Sequence, residues 1–185
     1  MLVVITIVAL LAGILLPALS GGSRQALRMN CESNMHQLTM FMSQYARDAD
    51  IYPDSSKWTG TASVEDGPLA RYVKDPKIYI CPADVDLKEA LKHDIKVRRT
   101  SYSFNSWFDR KTYSTSVDLS RAVFFVEPFV ATGGAMEISF QPTGAPRLTD
   151  RHNGGGLLAF GDGHVEFVTQ VRFQKDKQTI FEVTH

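Results

Sequence analysis

The stretch RHNGGGLLAFGDGHVEF, from Arg151 to Phe167, brings His152, Asp162 and His164 close together in the chain around a glycine run. Imidazole and carboxylate are zinc ligands, and together they are also the partners of acid–base chemistry. The spacing fits no established zinc pattern, and Asp162-Gly163 is a hairpin signal in its own right, because a type I′ turn needs positive φ at both central positions. That turn would pair Gly161 with His164, Phe160 with Val165, Ala159 with Glu166 and Leu158 with Phe167. One face would then be apolar and the other small or polar. Gly154, Gly155 and Gly156 do not form a phosphate loop, since they lack a Lys-Ser/Thr ending and lead into a strand. No serine sits in a Gly-x-Ser-x-Gly elbow, so no catalytic residue is assigned. The expected role is structural: His152 hydrogen-bonds near the Asp162 turn and pins the glycine loop. His152, Asp162 and His164 are kept as candidate metal ligands.

These residues need a scaffold, and 185 residues suffice for one modest domain plus an appendage. Lys plus Arg equals Asp plus Glu at 20 each, so no basic excess points to nucleic acid. The appendage is the start, MLVVITIVALLAGILLPALS, which carries no charge. Its Leu, Ile and Val residues favour membrane insertion by about 3 to 7 kcal/mol. A helix over 1–19 would be about 28 Å long, near the hydrocarbon thickness of a bilayer. The expectation is a transmembrane helix over 1–19, with a removable signal peptide as the competing reading. Pro17 is expected to kink it, and Ser20 to Ser23 is a second weak point.

Beyond it, Leu27, Cys31, Met35, Leu38, Met42 and Tyr45 recur at spacings of three or four, which is one face of an amphipathic helix. This predicts a continuation of the helix over 20–48. The rest, 49–185, reads as an exported globular domain. A turn-rich loop opens it. KIYIC, YSFNSWF, RAVFFVEPF, AMEISF and the tail TIFEVTH are strand candidates. Helix first and sheet after predicts an α+β fold, a long N-terminal helix packed on a small antiparallel sheet.

In order along the chain, LVVITIVALLAGILLPALS, CESNMHQLTMFMSQYARDADIYP, YICPAD, SYSFN and RHNGGGLLAFGDGHVEF resemble type IV prepilins and type II secretion pseudopilins. They resemble the branch carrying a C-terminal signature of His, nine residues, then Asp-Gly, met here by His152, Asp162 and Gly163. The resemblance implies a pilin-like, non-enzymatic structural subunit. It implies a single-pass inner-membrane protein whose C-terminal domain lies in the periplasm or outside the cell. Its partners would be copies of itself, other pilin-like subunits and the inner-membrane assembly machinery, with no nucleic acid. The apolar helices would bundle at the centre of a pilus or pseudopilus, so Val8, Leu11 and Pro17 belong to the assembly helix. The family's Gly, Phe-like residue and Glu precede the stretch beginning at Leu2. The expectation is therefore an upstream start codon, with a leader for prepilin peptidase and N-terminal methylation, against the alternative of a copy that is not processed in the family manner.

Cys31 lies on the helix face meeting the domain and Cys81 ends a predicted strand, so a Cys31–Cys81 disulfide is expected, against the alternative of two buried thiols. No cofactor is expected. Related pseudopilins can hold calcium in a loop of the globular domain, which makes Asp84 and Asp86, and Glu65 and Asp66, candidate Ca2+ ligands, although no EF-hand spacing is present. Two rival readings stand beside the fibre subunit. One is a membrane-anchored binding module showing His164 and Glu166 to a glycan or protein, and the other is a metal-dependent hydrolase.

Overall fold

The structure is a computed structural model that describes residues 2–60, 64–85, 100–113, 117–129, 139–140 and 147–181. Within its elements, the side chains of 2, 15–20, 139–140, 177–179 and 181 lie outside the description. The fold is α+β.

Helix α1 spans Leu2–Ala49. It continues through Pro17 and through Gly21-Gly22, so the glycines do not end it. It stops where Asp50 takes a left-handed conformation (φ 56°), a common way for a helix to terminate. Cys31, Met35, Leu38, Met42 and Ala46 are buried in one cluster with Trp58, Phe104, Phe124, Phe125 and Leu157. Polar side chains on its flanks make further ties. Asn34 Nδ2 donates to the Ile80 carbonyl at 3.1 Å, and His36 Nδ1 lies 2.6 Å from the Gly163 carbonyl.

Among the described residues, five strands form one sheet in the order β3-β1-β2-β4-β5. They are β1 (Ser103–Asn105), β2 (Val123–Val126), β3 (Ser139–Phe140), β4 (Gly155–Phe160) and β5 (Val165–Thr169). β1, β2, β4 and β5 pair antiparallel, as expected, whereas β3 joins β1 in parallel. Of the AMEISF segment only Ser139 and Phe140 are described, and they form β3.

Two expected strands are helical instead. Residues Pro76–Tyr79 form a 3-10 helix, because Asp75 caps it by accepting from the Lys77 amide and Pro76 opens it. The tail begins as helix α2, Gln170–Phe181, started by Thr169 Oγ1 accepting from the Arg172 amide at 3.3 Å. Gln, Arg and Lys are good helix formers, and they outweigh the β-like look of Thr179 to Phe181. Residues 182–185 of that expected strand lie outside the described residues.

The hairpin between β4 and β5 exists, but its register differs by one residue. Ala159 pairs with Val165, Leu158 with Glu166 and Leu157 with Phe167. The loop holds three residues, 161–163, and only Gly163 among them has positive φ (98°). Asp162 therefore cannot be the first centre of a type I′ turn. It closes the turn instead by accepting from the His164 amide at 3.1 Å. A three-residue loop with glycine in the left-handed region is the next commonest hairpin connection. The slip is tolerated because every residue of β4 is buried. Leu157 and Ala159 belong to the α1 cluster, whereas Leu158 and Phe160 belong to a second cluster with Val123, Val126, Val168 and Phe173 of α2. Gly155 is required where it stands, since a Cβ there would lie 2.4 Å from the Val168 carbonyl oxygen.

The expected single-pass inner-membrane placement is corrected. Among the described residues, no helix is long and apolar enough to cross a membrane.

The core predicts a response to alkali. Burial pushes the Tyr52 and Tyr79 phenols up to about 12, with Tyr113 adding to the rise at Tyr52. Their contribution to stability is complete below the ordinary tyrosine value near 10 and is lost as pH rises through about 12. Tyrosinate absorbance followed alongside far-ultraviolet dichroism should show these phenols ionising only together with unfolding above pH 10.

Candidate functional site

Cys31 of α1 is bonded to Cys81, which follows the 3-10 helix. Directly against this disulfide sits His152, its Nε2 3.5 Å from Cys81 Sγ. The same nitrogen lies 3.0 Å from Glu127 Oε2 and 3.2 Å from Oε1, and both side chains are essentially unexposed. Glu127 follows β2, and its carboxylate also accepts from the Leu157 amide of β4 at 3.1 Å. Its backbone is fixed too, pairing with Leu157 and Thr149. His152 is held from behind, its amide donating to the Gly155 carbonyl at 3.3 Å. The tight path from Asn153 (φ 63°) to Gly154 (φ 88°) turns the chain from His152 into β4.

A second buried polar group adjoins the disulfide. Asp84 Oδ2 takes Arg151 Nη2 at 3.1 Å and the Ser101 hydroxyl at 2.7 Å. Ser101 Oγ in turn accepts from the Cys81 amide at 3.0 Å. Burial, followed by the charge of Glu127, pushes the Tyr102 phenol well above its ordinary value. Neutral tyrosine thus remains in the core beside a carboxylate. His152, Arg151, Arg24, Gln25 and Arg28 line a cleft of about 280 Å³ between α1 and the loop before β4.

The residues singled out in the sequence do not gather as one site. His152 is not at the Asp162 turn; it faces Glu127 and the disulfide. Asp162 and His164 form their own half-exposed pair, Oδ1 to Nδ1 at 2.6 Å, and His164 stacks on Phe160 at 4.1 Å. Gly163 closes that turn against His36. Asp84 is engaged by a guanidinium and a hydroxyl, and Asp86 lies outside the described residues. Glu166 pairs with Arg172 of α2, so the surface with His164 is a salt-bridged cleft beside the helix. Val8 and Leu11 are exposed, and the Pro17 side chain lies outside the description.

Among the described residues, the single convergent set of metal-ligand types is Cys31, Cys81, Glu127 and His152. Glu127 was not read as part of a site. The signal was present: alternation places it on the face of Phe125, which is a core face, and an acid on such a face needs a buried partner. Arg151, Ser101 and His36 carried no comparable pattern.

As built, the set can orient α1 covalently and satisfy a buried acid. Comparison with protein-family models, with curated proteins and with solved structures gave no match.

Proposed function

We propose that this chain is a structural, non-enzymatic subunit that polymerises through the first third of α1 into a pilin-like fibre. The carrying observation is the exposed apolar surface there. Val3, Val4, Ile5, Ile7, Val8, Leu10, Leu11 and Ile14 are between 53% and 71% exposed. Leaving such a contiguous apolar surface in water is costly, and surfaces of this kind mark interaction sites. The apolar side chains point around most of the helix circumference, so one neighbouring helix covers only part of them. Copies stacked head to tail, without closing into a ring, supply neighbours on several sides and extend without limit.

The remaining contacts support a division of labour. The part of α1 from Cys31 onward is committed to its own domain, and the exposed apolar stretch from Val3 to Ile14 is left for other copies. The test is the full chain transferred from detergent into buffer, followed by sedimentation and electron microscopy. Wild type is expected to form elongated assemblies. Val8→Asp or Leu11→Asp is expected to abolish them, while the melting temperature of the folded body stays within about 2 °C, as for a surface substitution. Unchanged polymerisation of Val8→Asp, or a monomeric wild type, would rule the reading out.

A further inference from the structure

We infer that the Cys31–Cys81 pair, His152 and Glu127 make a zinc site that opens when the disulfide is reduced. In the oxidised chain both sulfurs are used in the bond and neither is a ligand. Reduction by a dithiol breaks the S–S bond. The dithiol closes its own disulfide, and the protein gains two electrons and two protons as two thiols. A divalent zinc ion then replaces both thiol protons, which pass to solvent. His152 binds through Nε2 with its proton on Nδ1, and a Glu127 oxygen is the fourth ligand.

The geometry already approaches that arrangement. One candidate ligand atom from each of the four residues lies within 4.8 Å of the others, and all four residues are buried. With Zn–S near 2.3 Å and Zn–N near 2.05 Å, a tetrahedral site needs S···N of about 3.6 Å. Cys81 Sγ and His152 Nε2 are 3.5 Å apart. The corresponding N···O separation is about 3.3 Å, and His152 Nε2 lies 3.0 and 3.2 Å from the two Glu127 oxygens. The two cysteine Cα atoms are 5.0 Å apart, so both thiolates are delivered to one point once the bond is cut.

Second partners hold the ligands in place, as metal sites require. The Leu157 amide fixes Glu127, and Ser101 fixes the Cys81 backbone. Two thiolates and a carboxylate leave a zinc centre with one excess negative charge. Arg151, which lines the same cleft as His152, carries a buried Nη1 without a hydrogen-bond partner. That cleft is also the entry path. Zinc binding would replace a covalent tie between α1 and the body with a coordinate one.

The test uses the full chain under argon, oxidised or reduced with a phosphine that ends as its oxide, and titrated with Zn2+ against a chromophoric chelator. The reduced chain is expected to bind one Zn2+ at least 100-fold more tightly than the oxidised chain. With Co2+ as the probe it should show strong tetrahedral visible bands and a thiolate charge-transfer band. His152→Ala and Glu127→Gln should each weaken binding at least 10-fold and shift the cobalt bands, while His164→Ala leaves both unchanged. If reduction unfolds the chain, Zn2+ should restore its near-ultraviolet dichroism. Equal affinity in both redox states, an octahedral cobalt spectrum, indifference to His152→Ala, or a reduced chain that zinc does not refold would each overturn the assignment.

Discussion

His152→Leu is expected to lower the melting temperature by roughly 10 °C, corresponding to about 3 to 5 kcal/mol. The cost comes from what remains. Glu127 is fully buried, and the substitution removes the imidazole 3.0 Å from its carboxylate, leaving the Leu157 amide as a hydrogen-bond donor. A buried carboxylate stripped of its partner loses far more than the net value of the pair, because its desolvation is no longer offset. The check is a double-mutant cycle by thermal denaturation. Glu127→Leu combined with His152→Leu should recover much of the loss, with a coupling energy above 1 kcal/mol. Simple additivity would mean that the two side chains contribute only as packing.

The second large effect concerns the tie between α1 and the body. Cys31→Ser with Cys81→Ser is expected to lower stability by about 4 kcal/mol, the chain-entropy value for a bridge whose sequence separation is 50. It acts mainly on the unfolded chain, which regains freedom in that loop. Denaturant unfolding should therefore show a lower midpoint with unchanged far-ultraviolet dichroism in the native baseline. A loss below 1 kcal/mol would mean that burial of Met35, Leu38, Met42 and Ala46 alone fixes the helix.

Which parts of this were legible in the residues follows from how local each signal is. The spacing of Cys31, Met35, Leu38 and Met42 marks side chains that are fully buried. The aromatic and β-branched runs at Ser103–Asn105 and Val123–Val126 are strands. The disulfide follows from two cysteines on facing elements. The hairpin register departs from the one that alternation predicts, because alternation fixes register only where a core face opposes a solvent face. β4 has no solvent face, so either register buries apolar residues. Glycine geometry at 163 and the Asp162 side-chain bond decided between them. The short helix at Pro76 and the start of α2 depend on their caps, Asp75 and Thr169, which prevail over the β-like residues beside them. The buried His152–Glu127 pair joins residues 25 apart and depends on how β2 meets β4, which no local pattern encodes.

The place where Cys31 sits on α1 has a mechanical consequence. It lies 28 residues beyond Val3, the start of the exposed apolar stretch, and about 42 Å along the rod. Tension applied to the projecting end travels down the rod and meets Cys31 before it meets Asn34 and His36. Peeling the rod from its body must then strain a covalent link before those weaker ties can fail in turn, so the chain can bear load at a joint that hydrogen bonds and oily packing alone would let slip.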